Sequence, residues 1–305
     1  MDKYLEEKLM DLRQERNAVI LAHNYQPGDI QDLADFTGDS LGLSRQAAET
    51  SADVIVFCGV KFMAETASVL SPDKTVLLPD KYAGCPMADM ITVPQLRELK
   101  QEHPDAVVVC YVNSPAEVKA ESDYCCTSSN AAEVVESIPQ EKEIIFVPDR
   151  HLGETVSEWT DRKLTLWAGY CPTHVAITER DIIKAKQENP DAVVLAHPEC
   201  RSTVKKLADK LLSTGQMLKF VRDGEADKFI IATEKGIVHA LIKSNPDAEY
   251  IIPAEKAVCP NMKKITLEKV ITALEEIRFR IEVPDTVSAK ARIALKRMVE
   301  VLPVK

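Results

Sequence analysis

The 305-residue chain lacks several features that mark whole classes of protein. Its longest apolar runs, such as Ala106–Val112, reach about seven residues, where a bilayer span needs roughly 18. The opening stretch, MDKYLEEKLMDLRQER, is charged throughout and has no apolar core of a secretory signal. A cytoplasmic protein with no membrane partner is expected. Aromatic residues make up only 5%, too few for rows of base-stacking platforms. Acidic residues outnumber basic ones by 48 to 38, a net charge of −10. Such a surface repels phosphate backbones, so no nucleic-acid partner is expected, although a local basic cluster can still hold a small anion. There is no CxxC, which removes the compact zinc, thioredoxin and ferredoxin signatures. The eight cysteines are too scattered for a disulfide scaffold, and each alone reads as a buried thiol. What remains, 45% hydrophobic and 28% charged residues, is ordinary globular composition. The length suits one large domain or two to three small ones.

Long-range spacing carries the information that short-range spacing lacks. Cys-Pro occurs at Cys85, Cys171 and Cys259, at intervals of 86 and 88 residues. The segments Ala-Val-Ile-Leu-Ala-His, Ala-Val-Val-Val-Cys-Tyr and Ala-Val-Val-Leu-Ala-His end at His23, Tyr111 and His197, at intervals of 88 and 86. A hydroxyl residue follows each of these 17 positions later, at Ser40, Ser128 and Thr214. The chain therefore reads as three copies of one unit of roughly 87 residues, the first thing to look for in any sequence.

Each unit has one plan. A helix (Val93–Gln101, Thr178–Glu188) stops near His103-Pro104 or Asn189-Pro190. An entirely apolar strand follows (Val19–Ala22, Val107–Cys110, Val193–Ala196), as suits a parallel strand covered on both faces. A second strand (Val54–Cys58, Ile144–Val147, Phe229–Ala232) and a third (Thr75–Leu78, Leu164–Trp167, Glu249–Ile252) alternate with helices. The fold class is α/β: three pseudo-threefold-related repeats, each a small parallel sheet between helices in three αβα layers. Boundaries are expected at 1–86, 87–172, 173–260 and 261–305. The last segment should form helix Thr266–Ile277, strand Arg280–Val283 and helix Val287–Val301, and close back near the first repeat.

Ligands bind parallel α/β sheets beyond the carboxyl ends of the strands. His23, Tyr111 and His197 follow first strands, and each Cys-Pro follows a third strand. Three such edges around one axis would face a common centre and bring Cys85, Cys171 and Cys259 together. Three thiolates suit either Zn²⁺ with a fourth ligand, such as a histidine, or three irons of a [4Fe–4S] cube with one iron open to substrate. Hydroxyls near helix starts suit carboxylate or phosphate binding, the plainer alternative being helix N-capping.

Taken in order, Leu21-Ala-His-Asn-Tyr-Gln26, Gly38-Asp-Ser-Leu41, Phe62-Met-Ala-Glu65, Cys85-Pro-Met-Ala88, Tyr111-Val-Asn-Ser114, His197-Pro-Glu-Cys200, Ser213-Thr-Gly-Gln-Met217 and Cys259-Pro-Asn-Met262 closely resemble the quinolinate synthase family, from about residue 15 to the end. The resemblance implies a transferase of NAD biosynthesis. It would condense iminoaspartate, supplied by L-aspartate oxidase or aspartate dehydrogenase, with dihydroxyacetone phosphate to give quinolinate, phosphate and two waters. It also implies one oxygen-sensitive [4Fe–4S] cluster per chain on Cys85, Cys171 and Cys259, which decides between iron–sulfur and zinc. By the same resemblance, Ser40, Ser128 and Thr214 bind substrate. His23 and His197 face it. Tyr111 and Asn113 contact carboxylates, Tyr25 moves a proton and closes the site, and Glu199 is the general base. His174 and Met262, each three residues after a cluster cysteine, read as lining residues. Some bacterial members carry a C-terminal CxxC that forms a regulatory disulfide. Here that region reads Ser288-Ala-Lys-Ala-Arg-Ile, so no such switch is expected. The other readings are a different cluster-dependent hydro-lyase and a non-catalytic iron–sulfur carrier or sensor. A carrier has no use for the hydroxyl and histidine set, and a sensor usually needs a nucleic-acid surface.

Overall fold

The computed structural model describes residues 3–224 and 226–301, so the extreme ends of the first and last expected segments lie outside the described residues. It contains three four-stranded sheets, parallel throughout. The first has β1 (Ala18–His23), β2 (Phe36–Gly38), β3 (Val54–Cys58) and β4 (Thr75–Leu77); the second has β5 (Val107–Tyr111), β6 (Tyr124–Cys126), β7 (Ile144–Val147) and β8 (Leu164–Leu166). The third has β9 (Val193–Ala196), β10 (Lys210–Leu211), β11 (Lys228–Ala232) and β12 (Glu249–Ile251). The orders β2-β1-β3-β4, β6-β5-β7-β8 and β10-β9-β11-β12 are one order repeated three times. Residues 55–58, 144–147 and 229–232 of the central strands are buried almost completely, as strands covered on both faces must be.

Each sheet has one more strand than the three expected from the sequence. The extra edge strands, β2, β6 and β10, are only two or three residues long, and an aspartate fixes each of them. Asp35, Asp123 and Asp209 accept from the backbone N–H groups of Ile20, Val108 and Val194 at 2.7, 2.8 and 2.8 Å. Their own N–H groups return to the carbonyls of the same residues at 2.9–3.0 Å. One side chain thus sets the register that a short, half-polar strand cannot set by apolar patterning. The helix after each Cys-Pro turn starts at a threonine seven residues beyond the cysteine: Thr92, Thr178 and Thr266. Each is an N-cap.

The three sheets are tied to one another by a cyclic set of donors at repeat-equivalent positions. Lys119 Nζ donates to Phe62 O (3.2 Å) and Thr66 Oγ1 (2.8 Å), reaching from the second sheet's helices to the first's. Lys205 Nζ reaches likewise to His151 O and Thr155 Oγ1, both at 2.6 Å. Gln31 completes the circle through Gly236 O at 3.0 Å. Both lysines are buried, and burial lowers their pKa values. Their donors are spent on carbonyl and hydroxyl oxygens, which keeps the groups satisfied.

The C-terminal segment departs from expectation in one element. Helices Leu267–Glu276 and Asp285–Glu300 form, but the strand between them is reduced to a single antiparallel bridge, Arg280 to Leu77. Left-handed backbone at Ile277 (φ 50°) and Phe279 (φ 56°) breaks the extended run just before it, and Pro284 follows at the next helix's N-cap. Helix Leu267–Glu276 packs on the N-terminal helix Lys3–Glu15, whereas Asp285–Glu300 straddles the first and second sheets, against helix Lys61–Leu70 and β6. No described helix is long and apolar enough to cross a membrane.

Candidate active site and cluster-binding cavity

The carboxyl edges of the three sheets line one cavity of about 670 Å³, counting its open mouth. All the residues singled out in the sequence are in its wall: His23, Tyr25, Ser40, Cys85, Tyr111, Asn113, Ser128, Cys171, His174, His197, Glu199, Thr214, Cys259 and Met262. His23 and Tyr111 are the last residues of β1 and β5, and His197 directly follows β9.

Cys85, Cys171 and Cys259 are free, half-buried thiols, while the other five cysteines are buried outside the cavity. The Cys-Pro sequence explains their setting. Pro172 opens a one-turn helix with Cys171 at its N-cap. The sulfur accepts from the backbone N–H of His174. Cys85 accepts from Met87 and Ala88, and Cys259 from Asn261 and Met262. Proline at the first helical position gives up no useful donor, and the N–H groups behind it converge on sulfur. Burial raises all three thiol pKa values, Cys85 to about 12. Thiols so placed ionise when a metal takes the proton's place, and N–H donors to sulfur are what cluster sites use to stabilise bound thiolate. The donor set therefore fits an iron–sulfur group.

Glu199 lines the same cavity, buried among proton-bearing groups. Oε1 accepts from the Tyr111 hydroxyl and from Asn113 Nδ2 (3.4 Å). Oε2 lies 2.7 Å from His174 Nδ1 and 4.0 Å from His197 Nδ1. The His174 approach is a close nitrogen–oxygen contact without the alignment of a hydrogen bond. Burial alone would raise the carboxyl pKa. The His174 and His197 rings and the Tyr111 hydrogen bond outweigh it and hold Glu199 ionised, well below the usual carboxylate range. Burial also raises the Tyr111 and Tyr25 hydroxyls, and the Glu199 charge raises them further. His23 and His197 are pushed down to about 3, by burial against the opposing pull of Glu199. The two share a local device: Nδ1 accepts from the backbone N–H two residues on, Tyr25 at 3.1 Å and Glu199 at 3.3 Å. That leaves the proton of each neutral ring on Nε2.

Elsewhere in the cavity wall, the structure separates hydroxyls from caps. The N-caps of helices Ser40–Glu49 and Thr214–Arg222 are Asp39 and Ser213, not the Ser40 and Thr214 of the sequence argument. Among the described residues no hydrogen bond engages the Ser40 or Ser128 side chain, whereas Thr214 Oγ1 accepts from Asn24 Nδ2 at 3.0 Å. Ser40 and Ser128 thus face the cavity with free hydroxyls. No described lysine or arginine lines the cavity, so an anion there must be held by hydroxyls, imidazoles and helix N-termini.

Four functional neighbours were not legible in the sequence. Asp39 accepts from Ser129 Oγ (2.6 Å), which lies 2.8 Å from Ser213 Oγ. Ser129 itself is the second. Thr233 bridges Tyr25 (2.6 Å) and His174 Nε2 (2.8 Å). Glu234, fully buried, accepts from Cys259 N (3.1 Å) and Gly236 N (2.7 Å) and pairs with Lys263 at 3.0 Å, which fixes the Cys259 loop. Asp39 and Ser129 flank the hydroxyl motifs, but only cross-sheet contacts reveal them. Nothing in the repeat marks Thr233 or Glu234.

A family model described as quinolinate synthetase A protein (NadA) matches residues 7–300. Among curated proteins, the chain is 52% identical over 295 residues to a quinolinate synthase of Dehalococcoides mccartyi strain CBDB1, covering 97% of each. It is 53% identical over 300 residues to quinolinate synthase 2 of Methanosarcina acetivorans, covering 98% of this chain and 96% of that one. It is 52% identical over 297 residues to the quinolinate synthase of Geotalea uraniireducens, covering 97% of each.

Proposed function

The chain belongs to the quinolinate synthase family, and from that premise we propose that it condenses iminoaspartate with dihydroxyacetone phosphate, releasing phosphate and two waters, to make quinolinate for NAD biosynthesis. L-Aspartate oxidase or aspartate dehydrogenase would supply the unstable imine. One observation carries the reading: three half-buried thiols and a buried carboxylate set among phenol, amide and imidazole groups line the same cavity.

Cys85, Cys171 and Cys259 would hold one [4Fe–4S] cluster. Bound there, it supplies a Lewis-acidic iron that polarises a substrate hydroxyl or carboxylate. The protein's own groups do the rest. Ser40, Ser128 and Thr214, in the cavity wall with the N-termini of helices Ser40–Glu49 and Thr214–Arg222, bind carboxylate and phosphate oxygens. His23 and His197 offer Nε2–H donors to the substrate, and Met262 packs its apolar side. Three carboxylates line the cavity, but two are committed: Asp39 to Gly42 N and Ser129, Glu234 to Cys259 N, Gly236 N and Lys263. Glu199 is the one surrounded by groups that exchange protons. It accepts the proton removed from substrate carbon during isomerisation and dehydration, with His174 beside Oε2 to share it. Tyr111 and Asn113, which hold Oε1, turn to a substrate carboxylate when it enters. Tyr25, tied through Thr233 to His174, delivers the proton to a departing hydroxyl.

The test is anaerobic reconstitution with iron and sulfide, then assay of quinolinate from enzymatically generated iminoaspartate and dihydroxyacetone phosphate. Cluster uptake without quinolinate would overturn the proposal.

A further inference from the structure

His174 is poised differently from the other two cavity histidines. Its Nε2 is engaged by Thr233 Oγ1 at 2.8 Å, and Thr233 is in turn tied to the Tyr25 hydroxyl. Its Nδ1 is buried, has no aligned hydrogen-bond partner and lies 2.7 Å from Glu199 Oε2. A ring nitrogen and a carboxylate oxygen at that distance share a proton, whose place a divalent cation can take. Cys171 sits three residues earlier at the N-cap of the same one-turn helix. One donor atom from each of Cys171, His174 and Glu199 lies within 4.8 Å of the other two.

We propose that the cluster-free chain binds one Zn²⁺-class divalent ion through Cys171, His174 and Glu199, a donor set distinct from the three cysteines. Thiolate, imidazole and carboxylate are all ordinary zinc ligands, and three of them leave a fourth position for water. Bonds of about 2.0–2.3 Å place tetrahedral donors roughly 3.3–3.6 Å apart, so the 2.7 Å nitrogen–oxygen pair must open by roughly 0.6–0.9 Å and the half-buried Cys171 sulfur must turn in to meet the ion, both by side-chain rotation. The thiolate and carboxylate charges balance the ion in a buried place. The Thr233–Tyr25 pair is the outer shell that metal-bound histidines require to fix the ring. Binding releases two protons to solvent, that of the Cys171 thiol and the one shared by His174 and Glu199, with no redox change. Zinc held there occupies a cluster cysteine and Glu199 together, so the zinc form is a closed-off state that must be emptied before iron and sulfide enter. The proposal uses these side chains alone and stands or falls independently of the quinolinate reading.

The test uses the full chain, freed of cluster and metal by chelation and kept reduced and anaerobic. It is titrated with Co²⁺, then with Zn²⁺ in competition. One Co²⁺ per chain is expected, with thiolate-to-cobalt absorption of single-thiolate intensity. Cys171→Ala should abolish it. His174→Ala should weaken binding at least about tenfold, and Thr233→Val, which removes only the outer-shell hydroxyl, about tenfold. Cys85→Ser and Cys259→Ser should bind as the parent does. Circular dichroism establishes that each variant is folded. If His174→Ala does not fold, Thr233→Val decides. No uptake, three-thiolate intensity, loss of binding in Cys85→Ser or Cys259→Ser, or unchanged affinity in Thr233→Val overturns the proposal.

Discussion

The Tyr111 hydroxyl donates to Glu199 Oε1 across 88 residues of sequence, from the end of β5 to the loop after β9. The bond joins two sheets at the wall of the cavity and commits one carboxylate oxygen while the other faces His174. Replacing Glu199 by Gln keeps the size and the acceptor for Tyr111 but removes the base. We expect Glu199→Gln to retain fold and cluster and to lose turnover by on the order of 10²-fold or more, the range of general-base removal. Anaerobic steady-state assay beside an iron count measures both. Near-parental turnover would move the role to another group, with Tyr25 the next candidate.

How much of this was legible in sequence follows from repeat phase. Cys85, Cys171 and Cys259, and His23, Tyr111 and His197, recur on one period at strand ends, so topology alone carries them to a common edge. Tyr25, Asn113 and Glu199 came from the family resemblance of the motifs around those marks, and His174 and Met262 from their place three residues after Cys171 and Cys259. The edge strands β2, β6 and β10 escaped because two or three residues carry no usable periodicity and one aspartate sets their register. The Arg280 strand failed for a backbone reason, the left-handed residues Ile277 and Phe279. Thr233 and Glu234 act through partners 59 to 208 residues away on other loops or 25 residues away on the Cys259 loop, which no local pattern encodes.

The cysteine assignment divides eight thiols into two groups. Changing Cys85, Cys171 or Cys259 to Ser is expected to abolish iron and acid-labile sulfide in anaerobically prepared protein. Cys58→Ala and Cys200→Ala, both in buried positions outside the cavity, should keep about four irons per chain. Iron retained by any of the first three, or lost by the second pair, contradicts the division.

The buried neutral histidines make the cluster-free chain acid-sensitive. His23 and His197 protonate near pH 6.5 when unfolded but only near about 3 in the fold. The unfolded state therefore binds more protons between those values, and stability falls as pH drops from about 6.5 towards 3. Each fully buried ring contributes a slope of up to about 1.4 kcal/mol per pH unit. Denaturant melts across that range should show His197→Gln with a flatter pH dependence than the parent. Parallel curves would refute the assignment.

Ser40 and Ser128 are free hydroxyls rather than helix caps, so their loss should be felt by substrate and not by the fold. A hydrogen bond to a charged group is worth about 1.5–3 kcal/mol, so Ser40→Ala and Ser128→Ala are expected to raise KM for one substrate about tenfold or more. Ser128→Ala should act on iminoaspartate, because Ser128 follows β6, the strand paired with β5, whose end carries Tyr111 and then Asn113. Melting temperatures should stay near the parent's. A lowered melting temperature with both KM values unchanged would make the two residues structural.

Asp39 offers a sharper test, because the same contact can be broken from two sides. Its Oδ1 accepts from Gly42 N at 2.8 Å as the cap of helix Ser40–Glu49, and its Oδ2 accepts from Ser129 Oγ at 2.6 Å. Ser129 has one proton, spent on Asp39, so the 2.8 Å contact to Ser213 is a bond that Ser213 donates. The relay Ser213–Ser129–Asp39 joins loops of the third, second and first sheets, each member adjacent in sequence to Thr214, Ser128 or Ser40. Gly215 lies against it: a Cβ there would stand 2.8 Å from Asp39 Oδ2. Gly215→Ala should therefore push the carboxylate off Ser129 while deleting no polar group. Asp39→Ala removes the acceptor outright, and Asp39→Asn keeps the cap oxygen and presents an amide that Ser129 can accept from. We expect Asp39→Ala and Gly215→Ala to raise KM for the same substrate, with kcat falling less, and Asp39→Asn to restore much of the loss. A cap alone is worth about 1 kcal/mol of stability. If Asp39→Ala lost that stability with unchanged KM, and Gly215→Ala behaved as the parent, the relay would hold the helix and not the substrate.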